Sequence, residues 1–272
     1  FGQTGYRELM FNEVGTYRRD TCYFDRRGIG SPERYIKNLY DCLQVADTTG
    51  HLCIPTGNHD FQRIRCGRRD DLREVQTALA FFLTQPGVPC LYYGDEIGMR
   101  FIDGLPDKEG SLLSKGNRAG SRTPMQWDES AGAGFSSASP EQFYLPIDAL
   151  NDRPDVGSQQ ADSSSTLNLV RTLLRLRETY PALACRGSIE FLTSARQPYP
   201  MVYERRKGSQ RFLICINPSG RITKTSYRFS KGVRSFLPIF VTPGCEKPKL
   251  TVKGNKVLLE TPALSFGIYL IH

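Results

Sequence analysis

The chain has 272 residues, 39% of them hydrophobic and 24% charged, ordinary values for a polypeptide that buries a real core. That balance excludes a disordered tail, a collagen or a disulfide miniprotein, and the length suits about two domains or one barrel-sized unit. Lysine and arginine total 36 against 28 acidic residues, a net charge of +8. The basic groups, such as Arg63, Arg65, Arg68 and Arg69 or Arg205-Arg206-Lys207, are interrupted by Asp70-Asp71 and Glu204. No nucleic-acid module accompanies them, so they read as solvated charge and no nucleic-acid partner is expected.

Eight cysteines form no Cys-x-x-Cys pair, and with three histidines no zinc spacing can be assembled, so no metal site is expected. Cys90 and Cys215 lie in apolar, strand-like runs, where a free thiol behaves as a small hydrophobe. Together with the absence of an Asn-x-Ser/Thr sequon, this predicts a reduced, cytoplasmic protein. No apolar run approaches the roughly 18 residues of a membrane span; Ala78–Leu83 is far too short, and no membrane partner is expected. The chain opens on Phe1, and Phe1–Gly5 has no signal-peptide character, so the expectation is a fragment of a longer protein.

The first two-thirds alternates strand and helix signals. Ser31-Pro32 reads as a cap and a first helical proline, followed by Ile36, Leu39, Tyr40 and Leu43 at helical spacing. Leu52-Cys53-Ile54 is a short apolar run ending in Pro55-Thr56-Gly57-Asn58-His59-Asp60. Asp71 and Glu74 form a capping box ahead of Leu72, Val75, Leu79, Phe82 and Leu83, and Pro86-Gly87 stops that helix. Val88–Tyr93 fits a buried parallel strand. Gly94–Gln160 is rich in Gly, Ser, Asp and Pro with little periodicity, and a loop of that length is normally functional. A last helix spans Leu167–Tyr180. From Gly187 the period changes to strands, with Ser188–Leu192, Met201–Glu204, Phe212–Ile216 and Val257–Glu260 between turns at Lys207-Gly208-Ser209 and Gly254-Asn255, in keeping with a small antiparallel sandwich.

Asn58-His59-Asp60 sits at the end of a predicted strand. A carboxylate beside a histidine there can accept strong hydrogen bonds from sugar hydroxyls or stabilise an oxocarbenium-like transition state; a capped turn is the simpler alternative. Two further stretches follow: Gln85-Pro86-Gly87-Val88-Pro89 with Leu91-Tyr92-Tyr93-Gly94-Asp95-Glu96-Ile97-Gly98-Met99, then Ser121-Arg122-Thr123-Pro124-Met125-Gln126-Trp127-Asp128. In this order the three closely resemble the α-amylase superfamily of glycoside hydrolases, glycoside hydrolase family 13, and most of all its oligo-1,6-glucosidase, trehalose synthase and sucrose isomerase branch.

The resemblance implies an α/β fold: the C-terminal part of a TIM (β/α)8 barrel over residues 1–186, then a small antiparallel β-sandwich domain over 187–272. It implies a retaining α-glucosidase or α-amylase type of enzyme acting on α-glucan or oligosaccharide, with a transglycosylase or isomerase of the same family as the alternative. A non-catalytic relative, shaped like the ectodomains of amino-acid transporter heavy chains, is the reading from another class. Asp60 would be the third carboxylate of the catalytic trio, His59 would bind the same sugar, and Asn58 would brace the turn. Arg63 would line the acceptor-side entrance. Arg118 would fix the non-reducing-end glucose, although Ala119 stands where relatives usually have Asp. Arg122 would bind substrate or orient the loop by pairing with a carboxylate.

Asp95 and Glu96, as adjacent strand residues, would point to opposite faces and read as architecture; Trp127 and Tyr92-Tyr93 read as packing. The family's nucleophile and acid stretches are not found before Asn58, Glu13 being the only tempting substitute, and Phe1–Tyr6 reads as the segment after the fifth barrel strand. The chain alone is therefore expected not to turn over substrate. No cofactor is expected, with calcium possible in an upstream part.

Overall fold

A computed structural model describes residues 22–108, 118–229 and 233–272; Glu13 and Phe1–Tyr6 lie outside the described residues. The first helix, α1 (Glu33–Thr49), follows Ser31, whose Oγ accepts the Glu33 N–H at 3.3 Å. Strand β1 (Cys53–Pro55) leads through the Asn58 turn to α2 (Leu72–Thr84), which begins on the capping box expected of Asp71 and Glu74. Strand β2 (Val88–Cys90) then pairs parallel with β1, Cys53 opposite Val88 and Pro55 opposite Cys90. The long stretch that follows is mostly irregular, with 3₁₀ turns at Asp95–Ile97, Ala119–Ser121 and Pro140–Gln142. A short helix α3 (Val156–Ala161), not foreseen in the sequence, precedes α4 (Thr166–Thr179), which is capped by Ser165 accepting from the Asn168 N–H.

Strand β2 corrects the expectation of a buried strand through Tyr93. It is three residues long, and Val88 is 45% exposed. The parallel pair is covered by helices on one side, where Ile54 is buried, while Cys53, Val88 and Cys90 face the open side.

The remaining strands form two antiparallel sheets. β3 (Ser188–Phe191), β4 (Met201–Lys207), β5 (Gln210–Asn217), β10 (Ser265–Ile271) and β7 (Phe236–Val241) are ordered β3-β4-β5-β10-β7. The second sheet is ordered β6-β9-β8, with β6 (Thr223–Arg228), β8 (Lys249–Lys253) and β9 (Lys256–Thr261). Gly208 and Gly254 take positive φ at the two tight hairpins, the conformation in which only glycine escapes a Cβ penalty. One apolar cluster, including Val202, Leu213 and Tyr269 of the larger sheet and Val257 and Leu259 of the smaller, joins the two sheets.

The main core crosses from helices to sheet. It runs from Tyr35 and Leu39 through Phe81, Phe82 and Leu83 to Leu173, and on to Phe212, Ile214, Phe266 and Ile268. Helix α2 is its centre: every residue from Glu74 to Thr84 is buried, as befits a helix covered on all sides.

The end of that helix is held by two guanidinium groups. Arg177 donates to the carbonyls of Leu83 at 3.0 Å, Gln85 at 2.7 Å and Gly87 at 2.6 Å. Arg205, wholly buried on β4, donates to the Thr84 carbonyl, to Ala184 at 2.8 Å and to Gly187 and Ser188 at 3.2 Å each. The Leu83 and Thr84 carbonyls are orphans of a helix C-terminus, and the others lie in the stretches of chain that follow α2 and α4. Burial and the nearby positive charge of Arg177 push Arg205 down to about 9. Among the described residues no helix is long and apolar enough to cross a membrane.

Replacing Arg205 with methionine removes the guanidinium donors from the buried carbonyls of Thr84 and Gly187. We expect it to lower the unfolding free energy by about 3 kcal/mol or more, read as a shift in the denaturant midpoint.

Candidate functional site

The turn after β1 is built by small and polar residues. A Cβ on Gly57 would lie 3.3 Å from Asp95 Oδ2 and 3.6 Å from Tyr92 Cβ, so the backbone approaches the Asp95 carboxyl group closely. Asn58 folds its side chain over the next residues, its Oδ1 accepting from the N–H groups of Asp60 at 2.8 Å and Phe61 at 3.1 Å. His59 and Asp60 are left half in solvent, with side chains 66% and 44% exposed.

Asp60 draws the distant arginines to it. Its Oδ1 lies 3.1 Å from Arg118 Nη1 and 3.3 Å from Arg122 Nη2, and its Oδ2 lies 3.3 Å from His59 Nε2. Arg122 also donates from Nε to the His59 carbonyl at 2.8 Å, and Ser121 Oγ donates to the same carbonyl at 3.3 Å. Arg118 reaches Asp107 Oδ2 at 3.4 Å, a second carboxyl group beside the one it shares with Arg122. The structure thus brings together Asn58, His59, Asp60, Arg118 and Arg122 at the C-terminal end of β1. A carboxylate held between two guanidinium groups and an imidazole, and open to solvent, is equipped to grip hydroxyl groups.

Arg63 is not part of that surface. Expected at the acceptor-side entrance, it is 0% exposed, donating to the carbonyls of Tyr93 and, at 3.0 Å, Ser121. Its guanidinium lies over the rings of Tyr92 and Tyr93, with centroids 5.0 and 4.6 Å away, and 3.6 Å from Asp95 Oδ1. The planar, delocalised cation is enclosed by carbonyls, aromatic faces and a buried carboxyl group, with its Nε left without a hydrogen-bond partner, so it supports the floor of the site and cannot meet a substrate.

Asp95 belongs to the same floor. It accepts from Thr56 Oγ1 at 2.7 Å, and burial pushes it up to about 6 against the opposing influence of Arg63 and Thr56. Asp95 and Glu96 lie in a 3₁₀ turn and not in a strand, which corrects the alternation argument; Asp95 is buried while Glu96 reaches the surface beside a cavity.

That cavity, about 500 Å³, corrects two further expectations. Trp127, expected to pack in the core, is 51% exposed on its wall, and Phe135 and Tyr144 are open beside it. Tyr93 also faces the cavity, its hydroxyl donating to the Thr123 carbonyl at 2.7 Å, whereas Tyr92 is half-buried. Arg122 and Glu96 supply its charged groups, and Arg122 connects it to Asp60. The aromatic spacing of Phe135, Phe143 and Tyr144 in a polar loop was the available sequence signal for it. No group of three or more His, Cys, Asp or Glu is placed to hold a metal among the described residues.

Residues 29–185 match the family model described as alpha amylase, catalytic domain. A trehalose synthase/amylase of Mycobacterium tuberculosis is 31% identical over 191 residues, covering 66% of this chain and 29% of its own length. Maltase A2 of Drosophila melanogaster is 32% identical over 195 residues, covering 70% and 31%, and a probable alpha-glucosidase of Rhizobium meliloti is 32% identical over 173 residues, covering 60% and 30%. Among solved structures, a MutB mutant in complex with glucose superposes with a TM-score of 0.75 at 20% identity, covering all of this chain and 50% of that one. An isomaltulose synthase mutant from Erwinia rhapontici NX5 in complex with D-glucose gives 0.71 at 23% identity, covering 89% and 46%. The chain spans about 30% of the length of these curated relatives and about half of the solved structures.

Asp95 is raised in the folded state above its ordinary 3.8, so folding favours its protonated form. Its contribution is present below about pH 4 and is lost as the pH rises through about 6. Comparing the pH dependence of unfolding in the wild type and Asp95→Asn isolates it: the difference in unfolding free energy between them should change by about 2 kcal/mol from pH 4 to pH 7.

Proposed function

Because this chain belongs to the α-amylase family of glycoside hydrolases, we propose that it carries the sugar-gripping part of an active site for retaining cleavage of α-glucosidic bonds in oligosaccharides. The observation that carries the reading is the convergence of His59, Arg118 and Arg122 on Asp60 at the end of a parallel strand. Polar residues at the carboxyl ends of barrel strands face the active site in this class of fold. On this reading β1 and β2, with α1, α2 and α4, are the last part of a (β/α)8 barrel ending near residue 186, and the two antiparallel sheets of 187–272 form the β-sandwich domain packed against it.

In the reaction, a nucleophile and an acid/base set about 5 Å apart perform a double displacement through an oxocarbenium-like transition state. Those two groups come from strands upstream of Asn58. Asp60 accepts from the hydroxyls of the sugar undergoing attack and favours its distorted form, and Arg118 fixes the glucose at the non-reducing end. His59 completes the ring of donors and acceptors. Arg122 holds Asp60 and the His59 carbonyl in place.

The aromatic cavity favours a sugar as the acceptor. Trp127, Phe135, Phe143 and Tyr144 offer apolar faces for a pyranose ring, with Arg122 and Glu96 at the edge for its hydroxyls. Such a wall excludes water and supports transglycosylation or isomerisation beside hydrolysis, in line with the synthase relatives.

In the complete enzyme, Asp60→Asn should lower kcat by at least a hundredfold with an unchanged melting temperature; near-normal turnover on maltose or sucrose would refute the assignment. Trp127→Ala should raise KM for a disaccharide about tenfold and increase the ratio of hydrolysis to transfer, measured by product analysis at fixed substrate.

A further inference from the structure

At the other end of β1 from Asp60, a cysteine meets an imidazole. Cys185 Sγ lies 3.0 Å from His51 Nδ1, and Arg186 Nη2 lies 3.5 Å from His51 Nε2. A guanidinium has donors and no acceptor, so in the Arg186 contact His51 Nε2 carries the lone pair. The ring proton then sits on Nδ1 and points at the sulfur. Cys185 is therefore the acceptor of an N–H hydrogen bond, with His51 fixing where the sulfur sits.

Two guanidinium groups at the end of α2, the half-buried Arg177 and the wholly buried Arg205, are near enough to interact electrostatically with Cys185. His51 is exposed and Cys185 half-exposed, and His51 lines an open cavity of about 630 Å³ together with Cys42, Leu52 and Cys53. Cys185 itself does not line that cavity; its own partial exposure sets it apart from Cys22, Cys66 and Cys215, which are buried in the core.

The geometry points to Cys185 as a modification site for small soft electrophiles, hydroperoxides above all, with His51 as its positioning residue. The sulfur attacks one peroxide oxygen; an S–O bond forms and the O–O bond breaks. Sulfur is oxidised by two electrons to a sulfenic acid and the peroxide is reduced. The departing hydroxide takes the proton that the thiol gave up to solvent, so one thiol and one hydrogen peroxide yield one sulfenic acid and one water. This assignment is independent of the glycosidase reading.

The test uses the full chain, treated briefly with iodoacetamide or with hydrogen peroxide followed by dimedone, and peptide mapping to follow each cysteine. Cys185 should label at least tenfold faster than Cys53, whose thiol is pushed up by burial and by Cys90 beside it. It should also outpace Cys245, the stricter comparison because that thiol has a guanidinium of its own beside it, Arg73. His51→Ala should remove the advantage, and His51→Asn, whose side-chain amide keeps a donor near the Nδ1 position, should restore part of it. Rates at Cys53 and Cys245 should not change in either variant. Labelling of Cys185 no faster than Cys53, or an undiminished rate in His51→Ala, would overturn the proposal; loss in both variants with all other cysteines accelerated would show general loosening and would equally refute it.

Discussion

The fold depends on what is done with the carbonyls at the end of α2. A helix buried on all sides cannot satisfy its last C=O groups with water, and here two arginines from later elements supply the donors. Arg177 comes from α4 and Arg205 from β4, so one helix terminus fixes the position of both the last helix and the antiparallel sheet. A lone buried cation is costly unless its donors are used. Arg205 has no carboxylate partner in this contact; it meets the partial negative charge of a helix C-terminus instead, which is why burial weakens its hold on its proton without unseating it.

A second buried guanidinium does comparable work beneath the candidate site. Arg63 ties Tyr93, Ser121 and Asp95 together, which joins the turn after β1 to the loop that carries Arg122. Asp60 is therefore presented by a layered arrangement: an exposed carboxyl group, a ring of arginine and histidine around it, and a packed floor of Arg63, Asp95, Thr56 and the tyrosine rings. The floor bears on Gly57 as well, since a Cβ there would press on the buried Asp95 carboxyl group at 3.3 Å.

Much of this was legible in the sequence where a local rule decides the outcome. The Asp71 capping box, the last helix near Leu167–Tyr180, the glycine hairpins and the Asn58 turn all depend on residues within a few positions of one another. The three ordered motifs also located the cluster around Asp60. What was not legible depends on distant packing. Arg63 lies three residues beyond Asp60 and reads as an exposed charge until Tyr92, Tyr93 and Ser121 are known to enclose it. Trp127 reads as core until its loop turns it outward beside Phe135 and Tyr144. Strands β6, β7, β8 and β10 escaped because their burial is set by partners across the sheet; β7 does not alternate, and β8 alternates over only five residues.

The apolar core that runs unbroken from α1 and α2 into β5 and β10 has a consequence for how such proteins can be rearranged. A cut after Arg186 would separate Phe81, Phe82 and Leu173 from Phe212, Ile214 and Phe266, exposing both halves of one packed surface. It would also take Arg205 away from the carbonyl of Thr84. The antiparallel portion is thus not a removable module. A chimera that exchanged it between relatives would succeed only if the donor brought a matching face for α2 and an arginine at the position of Arg205.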